Sequence, residues 1–191
     1  MRKLIAGMQT SVDEKIEGPD GYADWVESWS DSYDVIPRVD ACLLGAGMYP
    51  GYEGYWTAVH NAPDKPLPMT NRMPTAAEIE YARFATQTPH YVLSNTLTSA
   101  LWSKTRFVRG LDEIAALKQQ SGKDIYVVGG ARTTASVLDA GLVDELRLIV
   151  HPLIAGKGKP LFVTTERRRG LELQQVQQLP GGRVSLVYGI G

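Results

Sequence analysis

Apolar runs rich in branched residues alternate along this chain with segments of helical period. The pattern predicts six strands before the C-terminal tail, over residues 3–8, 40–45, 90–94, 105–108, 124–128 and 144–154. The first of them barely alternates between apolar and polar positions, which is typical of a strand buried on both faces. The six runs therefore indicate a sheet with a thoroughly buried centre.

The segments between these runs predict helices over residues 23–33, 75–87, 111–122 and 133–140. Thr75 and Glu78 stand at the spacing of a capping box, which marks a helix start. Gly122 and Gly141 can end their helices in the left-handed conformation that other side chains resist. Residues 46–74 are rich in Gly, Pro and Tyr without a period, so we expect a long irregular and functional connection there.

The tail forms two runs around residues 179–182, Leu-Pro-Gly-Gly, which favours a hairpin. Neither a repeat nor a linker interrupts the sequence, so we expect residues 1–191 to form one domain. Strands that alternate with helices predict an α/β fold. Its mostly parallel sheet would carry helices on its faces and a C-terminal antiparallel hairpin.

Composition and charge restrict the possible partners. The 191 residues carry a net charge of −1, and the isoelectric point is about 6.3. Nothing here attracts the molecule to nucleic acid or to an anionic membrane. A single cysteine excludes an internal disulfide, three histidines show no metal-ligand spacing, and no apolar run approaches the roughly 18 residues of a membrane span. We expect a cytoplasmic protein without a metal.

Two adjacent glycines, Gly129 and Gly130, end the fifth predicted strand directly before a helix. Glycine allows a ligand to approach the backbone more closely than a β-carbon would permit, and a helix N-terminus favours a pyrophosphate. Arg132, Thr133 and Thr134 follow with a cation and hydroxyls. A simple glycine turn with a threonine cap explains the same residues, and the spacing leaves both readings open. The G-x-G-x-x-G and G-x-x-x-x-G-K-[ST] motifs of other nucleotide sites are absent.

Four segments together resemble the dihydrofolate reductase superfamily, in its bacterial branch related to the reductase domain of riboflavin biosynthesis (RibD C-terminal-like). They are KLIAGMQTSVDEKIEGPDG, DACLLGAGMYPGY, HYVLSNTL and DIYVVGGARTTASVLDAGLVDELRLIVHPLIAGKGKPLF. The resemblance implies a dihydrofolate reductase-like fold with a central, mostly parallel eight-stranded sheet and about four flanking helices. It also implies that NADPH binds in an extended groove and passes hydride to a flat heterocycle.

Positions carried over from the family supply the expected cofactor contacts. By this resemblance Ala6 borders the nicotinamide, while Gly45 and Met48 meet the cofactor at the end of the second strand. The residues expected to hold the pyrophosphate and the nearby ribose are Val128, Gly129, Gly130, Ala131, Arg132, Thr133 and Thr134. Ser94, Asn95 and Thr96 would flank the adenosine end.

Several positions depart from the family pattern. Ala46, Gly47 and Asn95 stand where relatives often place basic residues that hold the 2′-phosphate, so NADH is possible as well as NADPH; Lys104 or Arg109 could compensate. Val128 replaces the glutamate usual in riboflavin-type reductases, which argues against the pyrimidine of that pathway.

By the same resemblance, candidate substrate and catalytic residues come from the first loop, the first predicted helix and the long connection. Tyr22, Trp25, Tyr49 and Tyr52 belong to an aromatic group, with Trp29, Tyr55 and Trp56, that could stack on a ring. Asp13, Asp24 and Glu27 are candidates for an acid that helps protonate the acceptor, although a solvated helix residue is the more frequent role of such a carboxylate.

Three hypotheses follow. The first is an NAD(P)H-dependent oxidoreductase that reduces a small pterin-, pyrimidine- or flavin-like heterocycle. The alternative is a nucleotide- or flavin-binding protein of the same fold with little or no turnover. The third is a structural protein that forms a homodimer, since the sixth strand and HPLIAGKGKPLF resemble segments that pair subunits in relatives.

Overall fold

Strand β1 (Leu4–Ser11) runs through the middle of an eight-stranded sheet and is buried at every residue. The computed structural model describes residues 1–26, 28, 33–162 and 164–191. Its other strands are β2 (Lys15–Glu17), β3 (Val39–Gly45), β4 (His90–Leu93), β5 (Thr105–Val108), β6 (Asp124–Gly129), β7 (Glu145–His151), β8 (Lys159–Pro160), β9 (Glu172–Gln178) and β10 (Val184–Gly189). The α-helices within these ranges are α1 (Tyr49–Asn61), α2 (Ala76–Gln87), α3 (Leu111–Gln119) and α4 (Ala131–Asp139).

The strand order in the large sheet is β5-β4-β3-β6-β1-β7-β10-β9. Neighbouring strands are parallel from β5 to β7, and β10 is antiparallel to both β7 and β9. The mostly parallel sheet and the C-terminal hairpin are confirmed. Strands β2 and β8, which pair separately and antiparallel, were not predicted.

Helix α1 contradicts the prediction of an irregular connection over residues 46–74. Tyr49, Tyr52, Trp56 and Val59 recur at helical spacing on its buried face. Pro50 lies in the first turn, where the missing N–H costs nothing because that group has no intrahelical partner. The glycines and the proline lower the helix propensity of this segment, so its sequence did not indicate a helix. Burial of the large apolar side chains on one face stabilises the helix despite that weak propensity.

The helix predicted over residues 23–33 does not appear in the part of that segment that the structure describes. Ala23 to Val26 form a turn and its flanks, and Tyr33 is buried without helical structure. Glu27 and Trp29 lie outside the described residues.

The sheet separates two hydrophobic cores because successive side chains of a strand point to opposite faces. On one face, Ile5 and Tyr126 pack under α1 and α2. On the other, Leu4 and Ala6 pack under α3 and α4. The helices over the first face form the outer wall of the cavity described below.

The second face stays uncovered at its far edge. Leu148, Leu186 and Val176 are cross-strand partners on β7, β10 and β9, and Tyr188 pairs with Leu173. Val176 is 61% exposed and Leu173 is 53% exposed. We call this surface the open sheet face; its members are Leu148, Val150, Leu173, Val176, Val184, Leu186 and Tyr188.

Two features are absent from the described residues. No helix is long and apolar enough to cross a membrane. No group of three or more His, Cys, Asp and Glu side chains is arranged to hold a metal ion.

Helix α2 begins with the predicted capping box. Thr75 Oγ1 accepts from the Glu78 N–H at 3.2 Å, and Glu78 Oε2 accepts from the Thr75 N–H at 2.9 Å. Arg72 donates to both carboxylate oxygens, at 2.6 and 2.8 Å. Burial opposes ionisation of Glu78, but the hydrogen bonds from Arg72 and Thr75 outweigh it and lower the pKa of this carboxyl.

We expect Glu78→Gln to lower the free energy of unfolding at pH 7 by about 1–3 kcal/mol, because the buried charge-assisted hydrogen bonds are lost. A lowered folded-state pKa gives stability that is present above the ordinary value of 4.5 and is lost as the pH falls through the folded value. Urea titrations should therefore show the deficit shrinking below pH 4.5. Glu80→Gln, at an exposed site of α2, is the matched control. An equal effect of both substitutions would contradict the capping role.

Candidate functional site

The site lies where the carboxyl ends of β1, β3 and β6 meet. The chain leaves β3 through α1 and α2 to reach β4 on one side, whereas it leaves β6 through α4 to reach β7 beyond β1. Ligands of open α/β sheets bind in the crevice opened by such a reversal. A cavity of about 950 Å³ occupies this position.

The turn between β6 and α4 forms one edge of the cavity. Gly129 has a φ of +133°, and a β-carbon there would lie 3.5 Å from Met48 Sδ and 3.6 Å from Met8 Sδ. A β-carbon on Gly130 would have no neighbour within 4 Å in the part of the chain that the structure describes. Gly130 is also the N-cap of α4, whose first-turn N–H groups have no intrahelical partner. The backbone of this turn is therefore open to a ligand.

Gly45 allows the end of β3 to pack closely against α4. A β-carbon at this position would lie 2.1 Å from Thr133 Oγ1. Because no side chain separates them, the end of β3 lies directly against the first turn of α4. The close approach keeps both elements on the same cavity.

Most of the expected cofactor residues come together here. The cavity is lined by Gly45, Met48, Val128, Gly129, Gly130, Ala131, Arg132 and Thr133. Arg132 is exposed. The structure thus brings together eight positions from two separate segments of the chain.

The other expected cofactor residues do not line the cavity. Ala6 is fully buried in the core under α3 and α4. The Thr134 side chain, 1% exposed, points its hydroxyl at Met8 Sδ from 4.0 Å. Ser94 Oγ accepts from the N–H groups of Thr96 and Leu97, while Asn95 and Thr96 are exposed.

The two cations that could compensate at the adenosine end are bound to backbone carbonyls. Arg109 donates to the carbonyls of Ser94 and Leu97, and so holds the turn after β4. Lys104 Nζ donates to the carbonyl of Gln87 at 2.7 Å. Both side chains already have acceptors within the protein.

Aromatic rings form much of the remaining cavity wall. Among the described residues the rings are Tyr22, Tyr33, Tyr52, Tyr55, Trp56, Tyr81 and Tyr126. Trp56 and Tyr81 have ring centroids 4.6 Å apart, and the hydroxyls of Tyr52 and Tyr81 are 3.2 Å apart. Burial raises the pKa of Tyr52 far above its ordinary value, so this hydroxyl stays protonated. The wall offers apolar faces with a few neutral hydroxyls.

Of the four expected substrate residues, the structure places two in the cavity. Tyr22 and Tyr52 line it, and Tyr22 also lines a second cavity of about 410 Å³. Tyr49 is 1% exposed and lies behind the wall, where its hydroxyl donates to Glu53 Oε1 at 2.7 Å. Trp25 lines neither cavity.

The acid candidates lie elsewhere. Asp13 accepts from Ser11 Oγ at 2.7 Å and from the N–H groups of Ala155 and Gly156 at 2.9 Å each. These hydrogen bonds, the one from Ser11 first, lower the pKa of Asp13 to about 2. Asp24 lines the smaller cavity beside Arg72, and Glu27 lies outside the described residues. Neither described candidate lines the large cavity.

Sequence reasoning missed several lining residues: Gly7, Met8, Gln9, Glu17, Tyr81, Tyr126 and Lys159. Ile5, Gly7 and Gln9 are two residues apart along β1 and therefore lie on the same face of the sheet. The period of the strand could thus have predicted Gly7 and Gln9 as lining residues. A β-carbon on Gly7 would lie 3.1 Å from Tyr126 and Tyr33, so glycine here lets both rings lie against β1. Lys159 pairs with Glu17 at 3.4 Å, a contact between β8 and β2 that no local pattern signals.

The chain matches a known protein family along nearly its whole length. The model of the RibD C-terminal domain family matches residues 2–185. YyaP of Bacillus subtilis (strain 168) is 29% identical over 191 residues, which cover 98% of this chain and 94% of that protein. YwjB of the same organism is 26% identical over 192 residues, with 98% and 97% coverage.

Solved structures share the fold. A candidate riboflavin biosynthesis protein of Shewanella sp. PV-4 superposes with a TM-score of 0.72 at 22% identity over 99% of both chains. A pyrimidine reductase-like protein of Corynebacterium diphtheriae gives 0.60 at 17% identity, with 100% of this chain and 92% of that one covered. The Enterococcus faecalis dihydrofolate reductase, complexed with NADP(H), gives 0.62 at 16%, with 99% and 96% coverage. The dihydrofolate reductase-like fold is confirmed.

We expect Gly129→Ala to destabilise the protein by about 1–3 kcal/mol, because φ at this site lies where L side chains are strained. Gly130→Ala is the matched control, since its β-carbon meets no protein atom within 4 Å and its φ is not positive. Thermal unfolding followed by circular dichroism measures both. Equal melting temperatures for the two variants would contradict the different roles of these glycines.

Proposed function

This chain belongs to the RibD C-terminal domain family, and we propose that it is a reductase that transfers hydride from NADPH or NADH to a small planar heterocycle. One observation carries the proposal. The bare backbone of Gly129 and Gly130, at the start of α4, opens into a cavity that seven aromatic rings also line. A dinucleotide and a flat acceptor each need one of these two surfaces.

The glycine turn suits the pyrophosphate. The space beside Gly130 admits a ligand to the main chain, and the N-terminus of α4 carries partial positive charge. Arg132 adds an exposed guanidinium, and Thr133 lies on the same rim. The Enterococcus dihydrofolate reductase, a neighbour in fold, is complexed with NADP(H).

The aromatic wall suits a flat acceptor. Pterin, pyrimidine and flavin rings can stack on Tyr and Trp faces, which favour offset and edge-to-face contacts. Val128 lines the cavity where, by the family resemblance, riboflavin-type reductases carry glutamate. We therefore expect an acceptor other than the pyrimidine of riboflavin biosynthesis.

Positioning is the main contribution that these residues make to the reaction. A bound nicotinamide supplies a hydride, and transfer requires the acceptor carbon to be held close to it in a fixed orientation. The aromatic wall excludes water and limits how the acceptor can lie. The one carboxylate among the described lining residues, Glu17, is paired with Lys159.

The same observations favour a second candidate, a nucleotide- or flavin-binding protein with little turnover. Neither Asp13 nor Asp24 lines the large cavity. Arg109, beside the turn after β4, and Lys104, directly before β5, both donate to backbone carbonyls, which weakens any hold on a 2′-phosphate. Turnover separates this candidate from the reductase.

We expect the purified protein to quench or shift the fluorescence of NADPH and NADH on titration. We also expect oxidation of at least one of them with a pterin, pyrimidine or flavin acceptor. Gly130→Val should abolish cofactor binding while the protein stays folded, because a β-carbon here has no neighbour within 4 Å among the described residues and the side chain would occupy the space proposed for the pyrophosphate. Undiminished cofactor affinity in a folded Gly130→Val protein would refute the pyrophosphate site. Binding without turnover on any acceptor would favour the second candidate.

We also infer that two copies of this chain pair through the open sheet face. Its seven members are all uncharged, and β9 places Val176 and Leu173 on it with more than half of each side chain exposed. In a twofold pair each patch meets a copy of itself, so a charged patch would repel its partner and an uncharged one does not. Removal of this apolar surface from water supplies the driving force.

We expect light scattering after size-exclusion chromatography to give twice the monomer mass for the wild type and the monomer mass for Val176→Glu, because the new charge would be buried in the pair. Gln177→Glu changes the adjacent residue of β9, which points to the opposite face, and should leave the mass unchanged. A monomeric wild type would contradict the inference.

A further inference from the structure

Gln9 is a polar side chain in an otherwise mainly apolar part of the cavity. It lies on β1, two residues beyond Gly7 on the same face, and lines the cavity although it is only 4% exposed. A buried amide needs hydrogen-bond partners because it has lost its contacts with water. The identity of those partners shows which of its atoms remains for a ligand.

His151 binds the carbonyl end of this amide. Its Nε2 lies 2.8 Å from Gln9 Oε1, and His151 itself is 4% exposed. Strands β1 and β7 run side by side and parallel, which brings the two residues together. Since an amide oxygen can only accept, His151 must donate through Nε2. This hydrogen bond fixes the orientation of the amide.

The fixed orientation leaves one N–H of Gln9 to be satisfied. The Nε2 group carries two hydrogens, and the carbonyl of Ser28 takes one of them at 3.3 Å, near the upper limit for a hydrogen bond. The second hydrogen belongs to a side chain that lines the cavity. A ligand atom with a lone pair would satisfy it, and a purely apolar ligand would leave a buried donor unpaired.

We propose that Gln9 donates a hydrogen bond to a ring carbonyl oxygen of the acceptor, and that His151 is the positioning residue that aims the Gln9 amide. This inference rests on the proposed reductase function and narrows its substrate class to flat heterocycles with an oxo group on the ring edge. The aromatic wall would contact the faces of such a ring, and Gln9 would donate a hydrogen bond to the oxygen on its edge.

The hydroxyl of Tyr52 supports the same substrate class. Its hydrogen-bond partner among the described residues is the hydroxyl of Tyr81 at 3.2 Å. Whichever of the two donates, Tyr52 keeps either a proton or a lone pair for another group. A heterocycle with polar atoms on its edge can use this capacity, whereas a hydrocarbon ring cannot.

The test uses binding of a defined panel of oxo-heterocycles to the full chain with NADP⁺ present. The probes are lumazine, pterin, alloxazine and uracil, each titrated by fluorescence quenching or calorimetry. We expect at least one of them to bind the wild type. Gln9→Leu, which keeps the approximate size but removes the amide, should weaken that probe about three- to tenfold, as expected for one lost hydrogen bond. Gln9→Glu should weaken it further, because it presents an acceptor to the ring oxygen.

Variants of His151 test the positioning role separately. His151→Leu removes the donor to Gln9 and should weaken the same probe without a change in NADPH affinity. His151→Asn offers a side-chain N–H and should restore part of the loss, which a purely structural role would not predict. Gln120→Leu, at an exposed site at the end of α3, is the control for loss of a glutamine amide.

NADPH titration of every variant distinguishes a failure of the proposed role of Gln9 from a failure of the proposed reductase function. Normal NADPH binding with equal probe affinity in the wild type and Gln9→Leu overturns the role of Gln9. Failure of every oxo-heterocycle to bind the wild type overturns the substrate class. Absence of binding of both NADPH and NADH by the wild type overturns the proposed function. If Gln9→Leu does not fold, Gln9→Glu replaces it, because its carboxylate still accepts from His151. Equal probe affinity in the wild type and Gln9→Glu would then overturn the role of Gln9.

Discussion

The parallel pairing of β6 between β1 and β3 is the constraint on which the whole site depends. This pairing places the Gly129-Gly130 turn beside the end of β1 on one side and beside Gly45 on the other. Close contact between Gly45 and Thr133 then holds the first turn of α4 over the end of β3. Without β6 at this position, the N-terminus of α4 and the aromatic wall would not share one cavity.

The two walls of the cavity have different physical origins. The edge formed by β6 and α4 is backbone, and its open N–H groups and bare glycines suit a charged, extended ligand. The opposite wall consists of side chains from α1, α2 and the sheet, packed as tilted and edge-to-face rings. Gly7 lets Tyr126 and Tyr33 lie close to β1, so a missing side chain also shapes the aromatic wall. Under the proposed function, a phosphate-bearing cofactor and a neutral ring would lie side by side in this one cavity.

Buried polar pairs give this apolar cavity its few directional contacts. His151 holds Gln9 and Tyr81 holds Tyr52, so the spare hydrogen-bonding capacity of Gln9 and of Tyr52 is positioned before a ligand arrives. Preorganised donors of this kind favour specific orientation because no side-chain freedom is lost on binding. Asp13 shows the contrasting case, since three donors from the protein saturate its carboxylate and tie it to the loop at Ala155 and Gly156.

The sequence by itself determined the alternation of strands and helices, the capping box at Thr75, the C-terminal hairpin and the glycine turn of the site. Each of these depends on a local period or on the backbone chemistry of one or two residues. Tertiary structure decided the rest. Helix α1 forms despite Pro50, Gly51 and Gly54 because burial of Tyr49, Tyr52 and Trp56 outweighs weak propensity. Gln9 and His151 lie 142 positions apart in the chain, and only the pairing of β1 with β7 brings them together. Contacts between distant segments follow from strand order, which local patterns do not specify.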